Sequence, residues 1–356
     1  MKYHNLIVYY FSGTGNAKNA ASWIIKIAAE KGLATHLINI DRFNEIELPE
    51  IAGKSLIGFC TPTHGFNVPP LVLKFLAKFP RVKNADAFIL NTRGGLKLHR
   101  FFIPGLSGVA QLLPALILRM KGFKIVGMQP LDLPSNWIIL HPGLRKKVID
   151  SIYTRCNAIV NNFTIKLLDG KRRYKALLSF PFDLAIIPVA IGYYFIGRFF
   201  LAKTLIATDA CTNCDLCILK CPVEAIKSIN NKPFWTYKCE SCMRCINLCP
   251  ERAIQTTHTY SGLLLVLSSL LITPLLVKGL VLLGIKDWFD QSPITEKIWS
   301  IINAFIFIVF VFISYHILHF LMRFKIVNWI IACTSFSKYN FWRRYKSPKK
   351  VMIQQK

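Results

Sequence analysis

Short apolar runs alternate with segments of helical periodicity over the first 165 residues. Five runs have the length and the β-branched and aromatic content of buried strands: 5–11, 35–40, 55–60, 87–91 and 123–129. Apolar side chains recur at helical spacing over 19–31, 69–79, 106–121 and 144–165. Strands that alternate with helices predict an α/β fold for residues 1–165, a doubly wound open parallel sheet.

The pattern changes at about residue 205 and again at about residue 259. Residues 205–258 lack this periodicity, so we predict a small α+β domain there. A domain of this size usually needs an additional stabilising element, such as a metal cluster, to fold stably. Residues 259–325 contain two long apolar stretches, 261–277 and 302–322, without a formal charge when the histidines are neutral. A helix of about 20 residues crosses a hydrocarbon core of about 30 Å, so we predict a transmembrane helical hairpin. The alternative, two buried core helices, would need more amphipathic protein to cover them.

A basic linker, residues 166–204, separates the first two regions and contains a third apolar stretch, 180–200. Its charge-free core has only 14 residues, and basic residues flank it on both sides. That length is short for a span, and no orientation satisfies the preference of basic residues for the cytoplasmic side. We therefore interpret this stretch as an interfacial or docking segment rather than an inserted helix.

The charge balance agrees with a membrane location. The chain is 53% hydrophobic, and 45 lysines and arginines against 18 acids give a formal charge of +27. No basic motif with interleaved aromatic residues favours nucleic acid, so anionic membrane lipid is the expected partner. The tail, residues 326–356, is basic near its end, which places it in the cytoplasm. A two-helix hairpin then puts residues 1–258 on the same side of a multi-pass cell-membrane protein.

Cysteine spacing gives the strongest chemical signal. The run CTNCDLCILKCP (211–222) recurs as CESCMRCINLCP (239–250), and eight of the 11 cysteines lie in these two runs. A disulfide scaffold would require a secreted protein, and the amino terminus has only a short apolar run with no cleavage site. We therefore expect reduced thiols. The other three, Cys60, Cys156 and Cys333, are predicted to be buried apolar positions.

Each run has the spacing C-x2-C-x2-C-x3-C-P, which is found in bacterial two-cluster ferredoxins. Three close thiolates occupy three corners of one cluster, and the fourth, before proline, reaches the other. One [4Fe–4S] cluster is therefore assigned to Cys211, Cys214, Cys217 and Cys249, and the second to Cys239, Cys242, Cys245 and Cys221. Zinc is the alternative, but a zinc site has no use for the third cysteine of each run.

A second candidate site is FSGTGN, residues 11–16, between the first strand and the first helix. Hydroxyls, glycine amides and a helix amino terminus in one turn form an anion site. A dinucleotide fingerprint would need a third glycine where Lys18 stands. At Ser12, Gly13, Thr14, Gly15 and Asn16 the chain resembles the flavodoxin family, whose phosphate loop binds FMN; Ala17 replaces that loop's last threonine.

The flavodoxin resemblance covers roughly residues 1–165 and implies two further loops around the flavin ring. These correspond to 61–67 and 91–95, and the implied contacts are Thr61, Pro62, Thr63, His64, Gly65, Asn91, Thr92, Arg93, Gly94 and Gly95. His64 or Phe66 could lie against the ring, and Arg93 could favour the anionic reduced flavin. The alternative is a flavodoxin-like fold that no longer binds the cofactor.

In domain order, residues 1–258 resemble the flavodoxin–ferredoxin fusion proteins of anaerobic bacteria and archaea. The resemblance implies an electron carrier with unknown redox partner proteins, in which FMN exchanges electrons in pairs or singly and each cluster exchanges one. The resemblance does not explain the predicted transmembrane hairpin, which would anchor this carrier in the membrane. The alternative is an oxidoreductase that reduces a small substrate or a membrane quinone, with His64 and Arg93 as the available acid–base groups. A redox sensor or assembly factor is a third class.

Overall fold

The computed structural model describes residues 2–45, 48, 54–83 and 85–344. The chain forms two compact units. The first comprises Met1–Tyr194, Glu240–Asn247 and Arg343–Lys356, and the second comprises Phe195–Cys239 and Leu248–Trp342. The first cysteine run therefore belongs wholly to the second unit, whereas the second run contributes to both. This division cuts across the predicted boundaries at 165, 204, 258 and 325, which stay predictions.

The first unit is built on a seven-stranded sheet. Its strands are β1 (Asn5–Tyr10), β2 (Ala34–Asn39), β3 (Ser55–Pro62), β4 (Asp86–Leu98), β5 (Phe101–Ile103), β6 (Lys124–Pro134) and β7 (Arg173–Tyr174). The spatial order is β2-β1-β3-β4-β6-β7 with parallel neighbours, and β5 pairs antiparallel with β4. The five predicted strands correspond to β1, β2, β3, β4 and β6, so the predicted doubly wound parallel sheet is confirmed.

The first unit also contains α-helices. They are α1 (Asn16–Glu30), α2 (Pro70–Lys78), α3 (Leu112–Met120), α4 (Lys146–Leu168), α5 (Phe180–Ala185) and α6 (Ile187–Gly192). The apolar side chains that recur at helical spacing in α1 (Ala20, Trp23, Ile24, Ile27 and Ala28) are buried. Gly15, with φ of 102°, precedes α1, so the helix begins at Asn16 rather than at Asn19. Its amino terminus thereby opens directly onto the FSGTGN turn.

The strands extend further than the sequence predicts at the edge that carries the candidate site. Thr61 and Pro62 end β3, and 91–95 lies within β4 rather than in a loop. The reason is pairing, because β6 stays in register with β4 as far as Gly95 and Pro134. Because the backbone groups of 91–95 are hydrogen-bonded to the neighbouring strand, this segment stays extended and does not form a loop.

The third apolar stretch is bent rather than straight. Helical segments Lys175–Ala185 and Ile187–Ala202 meet at 76°. Asp183 is 3% exposed, and its carboxylate accepts the backbone N–H groups of Ser107 (2.8 Å) and Gly108 (2.7 Å). Large apolar side chains nearby face outward; Leu178 is 80% exposed and Phe182 is 67% exposed. The only acid of the stretch therefore ties it to the first unit.

The second unit combines short elements with long helices. They are α7 (Arg198–Ala202), β8 (Leu205–Ala207), α8 (Leu216–Leu219), β9 (Ile226–Ile229), β10 (Lys232–Trp235), β11 (Ile254–Thr256), α10 (His258–Leu267), α11 (Thr273–Leu282), α12 (Lys286–Asp290), α13 (Pro293–Leu321) and α14 (Lys325–Cys333). One further helix, α9 (Arg244–Leu248), lies in the second cysteine run. Strand β11 pairs antiparallel with β8, and β10 with β9.

Two helical stretches of the described chain are long and apolar enough to cross a membrane, or three if the bent pair is one broken span. They are His258–Leu282, with 25 residues, and Pro293–Leu321, with 29. The first contains a π-helical turn, Ser268–Ile272, just before Pro274. Proline has no N–H to donate, and a wider turn absorbs that loss. The second begins with a capping box between Ser292 and Thr295.

Candidate functional site

A cavity of about 250 Å³ lies in the first unit, at the carboxyl ends of the parallel strands. It is lined by Ser12, Gly13, Thr14, Asn16, Ala17, Pro62, Thr63, Gly65, Phe66, Thr92, Arg93, Gly94, Gly105, Leu106, Pro134, Ser135, Asn136 and Trp137. Ligands of open α/β sheets bind at this edge, where the direction of strand order reverses. Here β1 lies between β2 and β3, so the FSGTGN turn sits at the reversal.

The hydroxyls of the turn are held ready to donate. Ser12 Oγ accepts the Gly15 N–H at 3.0 Å, and Thr14 Oγ1 accepts from Asn136 Nδ2. Each hydroxyl thus uses an acceptor position inside the protein and keeps its own hydrogen available for an anion. Asn16 donates to the Pro134 carbonyl (2.9 Å), which ties the turn to the end of β6. With the amino terminus of α1, this donor set suits a phosphate group.

Arg93 lines the cavity, but an acid compensates its charge. Its Nε donates to Asp132 Oδ1 at 2.7 Å, and Nη1 reaches Ser107 Oγ at 3.3 Å. The arginine side chain is only 7% exposed. The paired guanidinium therefore adds little net positive charge, which weakens the expectation that Arg93 favours an anionic flavin.

His64 lies behind the cavity wall. It is 2% exposed, it is not among the described lining residues, and its ring lies 6.1 Å from that of Trp137. Burial lowers the pKa of His64 to about 4, and the backbone of Glu240 partly opposes that shift. The imidazole is therefore neutral at physiological pH. Of the other described residues implied by the resemblance, Gly15, Thr61, Asn91 and Gly95 also fall outside the lining.

Sequence reasoning missed the third wall of the cavity. Pro134 ends β6, the next three residues Ser135, Asn136 and Trp137 follow it, and Trp137 brings a large aromatic ring to the site. The signal was present, because every parallel strand of one sheet ends at the same edge.

The second site belongs to the second unit. Cys211, Cys214, Cys217 and Cys249 line one pocket together with Pro233 and Pro250. Burial raises the pKa of the Cys217 thiol to about 11, and Cys211 and Cys249 add to that shift electrostatically. These thiols are thus close enough to repel one another as thiolates. The positively charged iron–sulfide core of a cluster would remove that repulsion, so the residues present fit the first predicted cluster.

The two cysteine runs share an unusual backbone. Asn213 and Asp215 have φ of 55° and 54°, and the matching Ser241 and Met243 have 51° and 61°. Left-handed conformations are costly for residues with a Cβ, so their repetition marks a constraint common to both runs. Such turns point successive N–H groups inward, as anionic clusters require.

The fourth cysteine of each run is held in the same way. Cys221 Sγ accepts the Ala225 N–H, and Cys249 Sγ accepts the Ala253 N–H, both at 3.3 Å. Cys242 and Cys245 belong to the first unit, whereas Cys239 and Cys221 belong to the second.

Among the described residues, no group of three or more His, Cys, Asp or Glu side chains is arranged to hold a metal ion.

Of the cysteines outside the runs, Cys60 and Cys156 are buried, as predicted. Cys333 is partly exposed, so the prediction of a buried position is wrong there. It is the last residue of α14.

Comparison with known proteins identifies both regions. The family model for flavodoxin matches residues 8–101, and that for a 4Fe-4S dicluster domain matches residues 203–255. Among the curated proteins, none matches this chain.

Several solved flavodoxin structures are similar to part of this chain. A flavodoxin from the domain Archaea is 18% identical, with a TM-score of 0.31, covering 46% of this chain and 97% of that chain. Oxidised Flavodoxin 1 from Bacillus cereus is 15% identical, with a TM-score of 0.31 and coverage of 46% and 97%. Reduced Megasphaera elsdenii flavodoxin is 16% identical, with a TM-score of 0.28 and coverage of 35% and 84%.

A flavodoxin domain implies FMN, and a dicluster domain with its cysteines implies iron–sulfur clusters. Together they indicate electron transfer with redox partners. The chain thus carries an amino-terminal flavodoxin domain and a 4Fe-4S dicluster domain, followed by two long apolar helices.

Proposed function

We propose that this protein is a membrane-anchored electron carrier that relays electrons between FMN and two [4Fe–4S] clusters at the cytoplasmic face. The observation that carries the proposal is the presence, in one chain, of a cavity built on the phosphate turn and a pocket lined by four cysteines. The donor and acceptor proteins, or a membrane quinone as the acceptor, are to be identified by experiment.

Bound FMN supplies one- and two-electron chemistry. Ser12 and Thr14 would donate hydrogen bonds to its phosphate, and the amino terminus of α1 would add its partial positive charge. Phe66 and Trp137 would offer apolar surfaces to the ring and exclude water from one side. Because Asp132 compensates Arg93, the protein would place little net charge near the flavin.

One measurement tests the relay. In anaerobically purified protein with measured FMN, iron and sulfide contents, the flavin is reduced by light and the spectra are followed. We expect the clusters to become reduced as the flavin reoxidises, without added mediator. Flavin that stays reduced beside oxidised clusters of suitable potential would contradict the proposal.

The enzyme alternative gains no support from the residues that suggested it. His64 lies outside the described cavity lining, and Arg93 is paired. Steady-state turnover with reduced ferredoxin and a menaquinone analogue would establish an enzyme instead. Bound cofactors with negligible transfer to any acceptor would point to a sensor or an assembly factor.

Ala17 gives a direct test of the phosphate turn. It is 1% exposed and lines the cavity. We expect Ala17→Thr to bind FMN more tightly than Ala17→Val, which has the same shape without the hydroxyl. One added hydrogen bond is worth about 0.5–1.5 kcal/mol, so the ratio of the two Kd values should be about 2–10. Fluorescence titration of the flavin-free protein measures both, and equal Kd values would exclude a phosphate at this position.

The membrane arrangement has its own test. We propose two spans, with the bent stretch at the membrane surface and both termini in the cytoplasm. Reporter fusions that distinguish the two sides are placed at the amino terminus, within 286–292 and at the carboxyl terminus. We expect the two termini on the cytoplasmic side and the connection outside. If the bent pair crossed the membrane, the two termini would report opposite sides.

A further inference from the structure

We propose that, of the two clusters, the one held by the second cysteine run exchanges electrons directly with FMN, and that Asp41 and Arg244 position that run against the phosphate turn. The inference rests on the proposed function, because it orders the centres of that relay. The first observation is that Glu240–Asn247, the middle of the second cysteine run, belongs to the same compact unit as the proposed flavin cavity.

Gly13 brings the two sites into contact. A Cβ on Gly13 would lie 2.0 Å from the carbonyl oxygen of Cys242 and 3.1 Å from the Cys242 Cβ. Gly13 is not among the described residues with positive φ, so the glycine is required by this close approach and not by its backbone conformation. Gly13 also lines the cavity. The backbone of one residue therefore touches both the predicted FMN site and a predicted cluster ligand.

Arg244 fixes that contact. Its guanidinium donates to the Asp41 carboxylate at 2.5 and 2.8 Å and to the Ser12 carbonyl at 2.8 Å. The two side chains are 14% and 19% exposed, so water screens the pair only weakly. A two-pronged, charge-assisted contact of this kind fixes orientation as well as distance. Ser12 and Asp41 follow the neighbouring strands β1 and β2.

Two further hydrogen bonds hold the second run on either side of Arg244, one at Glu240 and one at Ile246. The Glu240 carboxylate accepts the Leu71 N–H at 3.2 Å, in the first turn of α2, where a negative charge is favourable. At the other end, Arg344 Nη1 donates to the Ile246 carbonyl at 3.2 Å. The run is therefore held along its length, not at a single point.

The sequence repeat shows that these anchors are specific to the second run. Thr212 occupies the position of Glu240 in the first run, and Leu216 occupies that of Arg244. The cysteine ligands are the same in both runs, but the two charged anchors occur in one copy only. This asymmetry assigns the second run to the flavin and leaves the first run for the other end of the relay.

Each transfer moves one electron. Reduced FMN would lose one electron, and the cluster that Cys239, Cys242, Cys245 and Cys221 would hold would gain it. That cluster would pass this electron to the other cluster before it accepts the second one from the flavin. The protons of the reduced flavin would go to solvent, and the electron donor of the proposed function would reduce the flavin again.

The first test weakens the anchor without touching a ligand. In Asp41→Asn and Arg244→Gln we expect unchanged FMN and iron contents, but electron transfer from flavin to cluster about tenfold slower or more. Loss of one charge-assisted hydrogen bond would lower the population of the properly positioned run by about that factor. Asp150→Asn is the matched control, because its ion pair with Lys146 lies on the surface. A rate within about twofold of the wild type in both variants would overturn the proposed positioning.

A second readout does not depend on turnover. Hydrogen–deuterium exchange of the backbone amides of 240–247 should become faster in Asp41→Asn and Arg244→Gln and stay unchanged in Asp150→Asn. Exchange that is identical in all of these proteins would show that the pair does not hold the run, and would contradict the inference.

The order of the centres is tested by removing one cluster at a time. With Cys214→Ala we expect light-reduced flavin still to reduce the remaining cluster; with Cys242→Ala we expect it not to. Equal transfer in both variants would overturn the order alone. Wild-type protein whose flavin reduces neither cluster would contradict the proposed function, and this order with it.

Discussion

Replacing Cys214 and Cys249 together with alanine will remove one cluster and leave the other. These two residues come from different runs, but both line the same pocket. Once one ligand is lost, loss of the second costs nothing more, so the two substitutions are not additive. Iron should fall from about eight to about four atoms per chain, with one EPR signal of the reduced protein retained.

The matched double variant keeps Cys249→Ala but replaces Cys245 instead of Cys214. Cys245→Ala with Cys249→Ala removes two cysteines of a single run, and we expect both clusters to be lost because each has lost a ligand. If each run held its own cluster, the two results would be reversed. Cys333→Ala is the control for an unrelated, partly exposed cysteine and should keep the full iron content.

Replacing Lys203 with methionine will lower the reduction potential of the second cluster. Lys203 is 2% exposed, and its ammonium group donates to the Trp235 carbonyl. Four aromatic rings surround it, with centroids 4.5–5.7 Å from Nζ: Phe234, Tyr237, Phe312 and Tyr315. Such a cage holds a cation at a fixed place in a medium of low polarity.

The charge of Lys203 acts on Cys239. Burial lowers the pKa of Lys203 to about 8, and the Cys239 thiolate acts against that shift. A cluster bound to Cys239 would add negative charge and keep the ammonium protonated at neutral pH. A positive charge stabilises the reduced, more negative cluster. Its removal should lower the potential by on the order of 1–2 kcal/mol, or about 40–90 mV for one electron.

Lys238→Met is the control for this prediction. Lys238 adjoins Cys239 in sequence but is exposed, so solvent screens its charge. We expect a much smaller shift there in an EPR-monitored titration, with full iron content in both variants. Equal shifts in the two variants, or no shift in Lys203→Met, would exclude a special role of the buried ammonium.

The fold was predictable where the pattern was periodic or the residue spacing specific. Apolar runs such as 5–11 and 55–60 can be buried on both faces only in a sheet covered by helices, and the sheet has that form. The spacing of the two cysteine runs likewise predicts that Cys249 belongs with the first run, and these four cysteines line one pocket. Both predictions use only local patterns.

The prediction was less complete where a position depends on distant partners. His64 and Arg93 looked equivalent in sequence, each in a glycine-containing segment at a strand end. Asp132 then compensates Arg93, and packing beside Trp137 places His64 behind the cavity wall. Neither outcome can be read from the neighbouring residues, because both partners lie far along the chain.

The amino-acid sequence by itself determined the strand and helix alternation, the FSGTGN turn, the cysteine spacing and the two long apolar helices, since each follows from local periodicity or from a short motif. Only the tertiary structure decided which groups near those motifs are neutralised, and that Gly13 meets Cys242 with Arg244 paired to Asp41. Charge compensation and close backbone contact are properties of residues distant in sequence, so they exist only once the chain has folded.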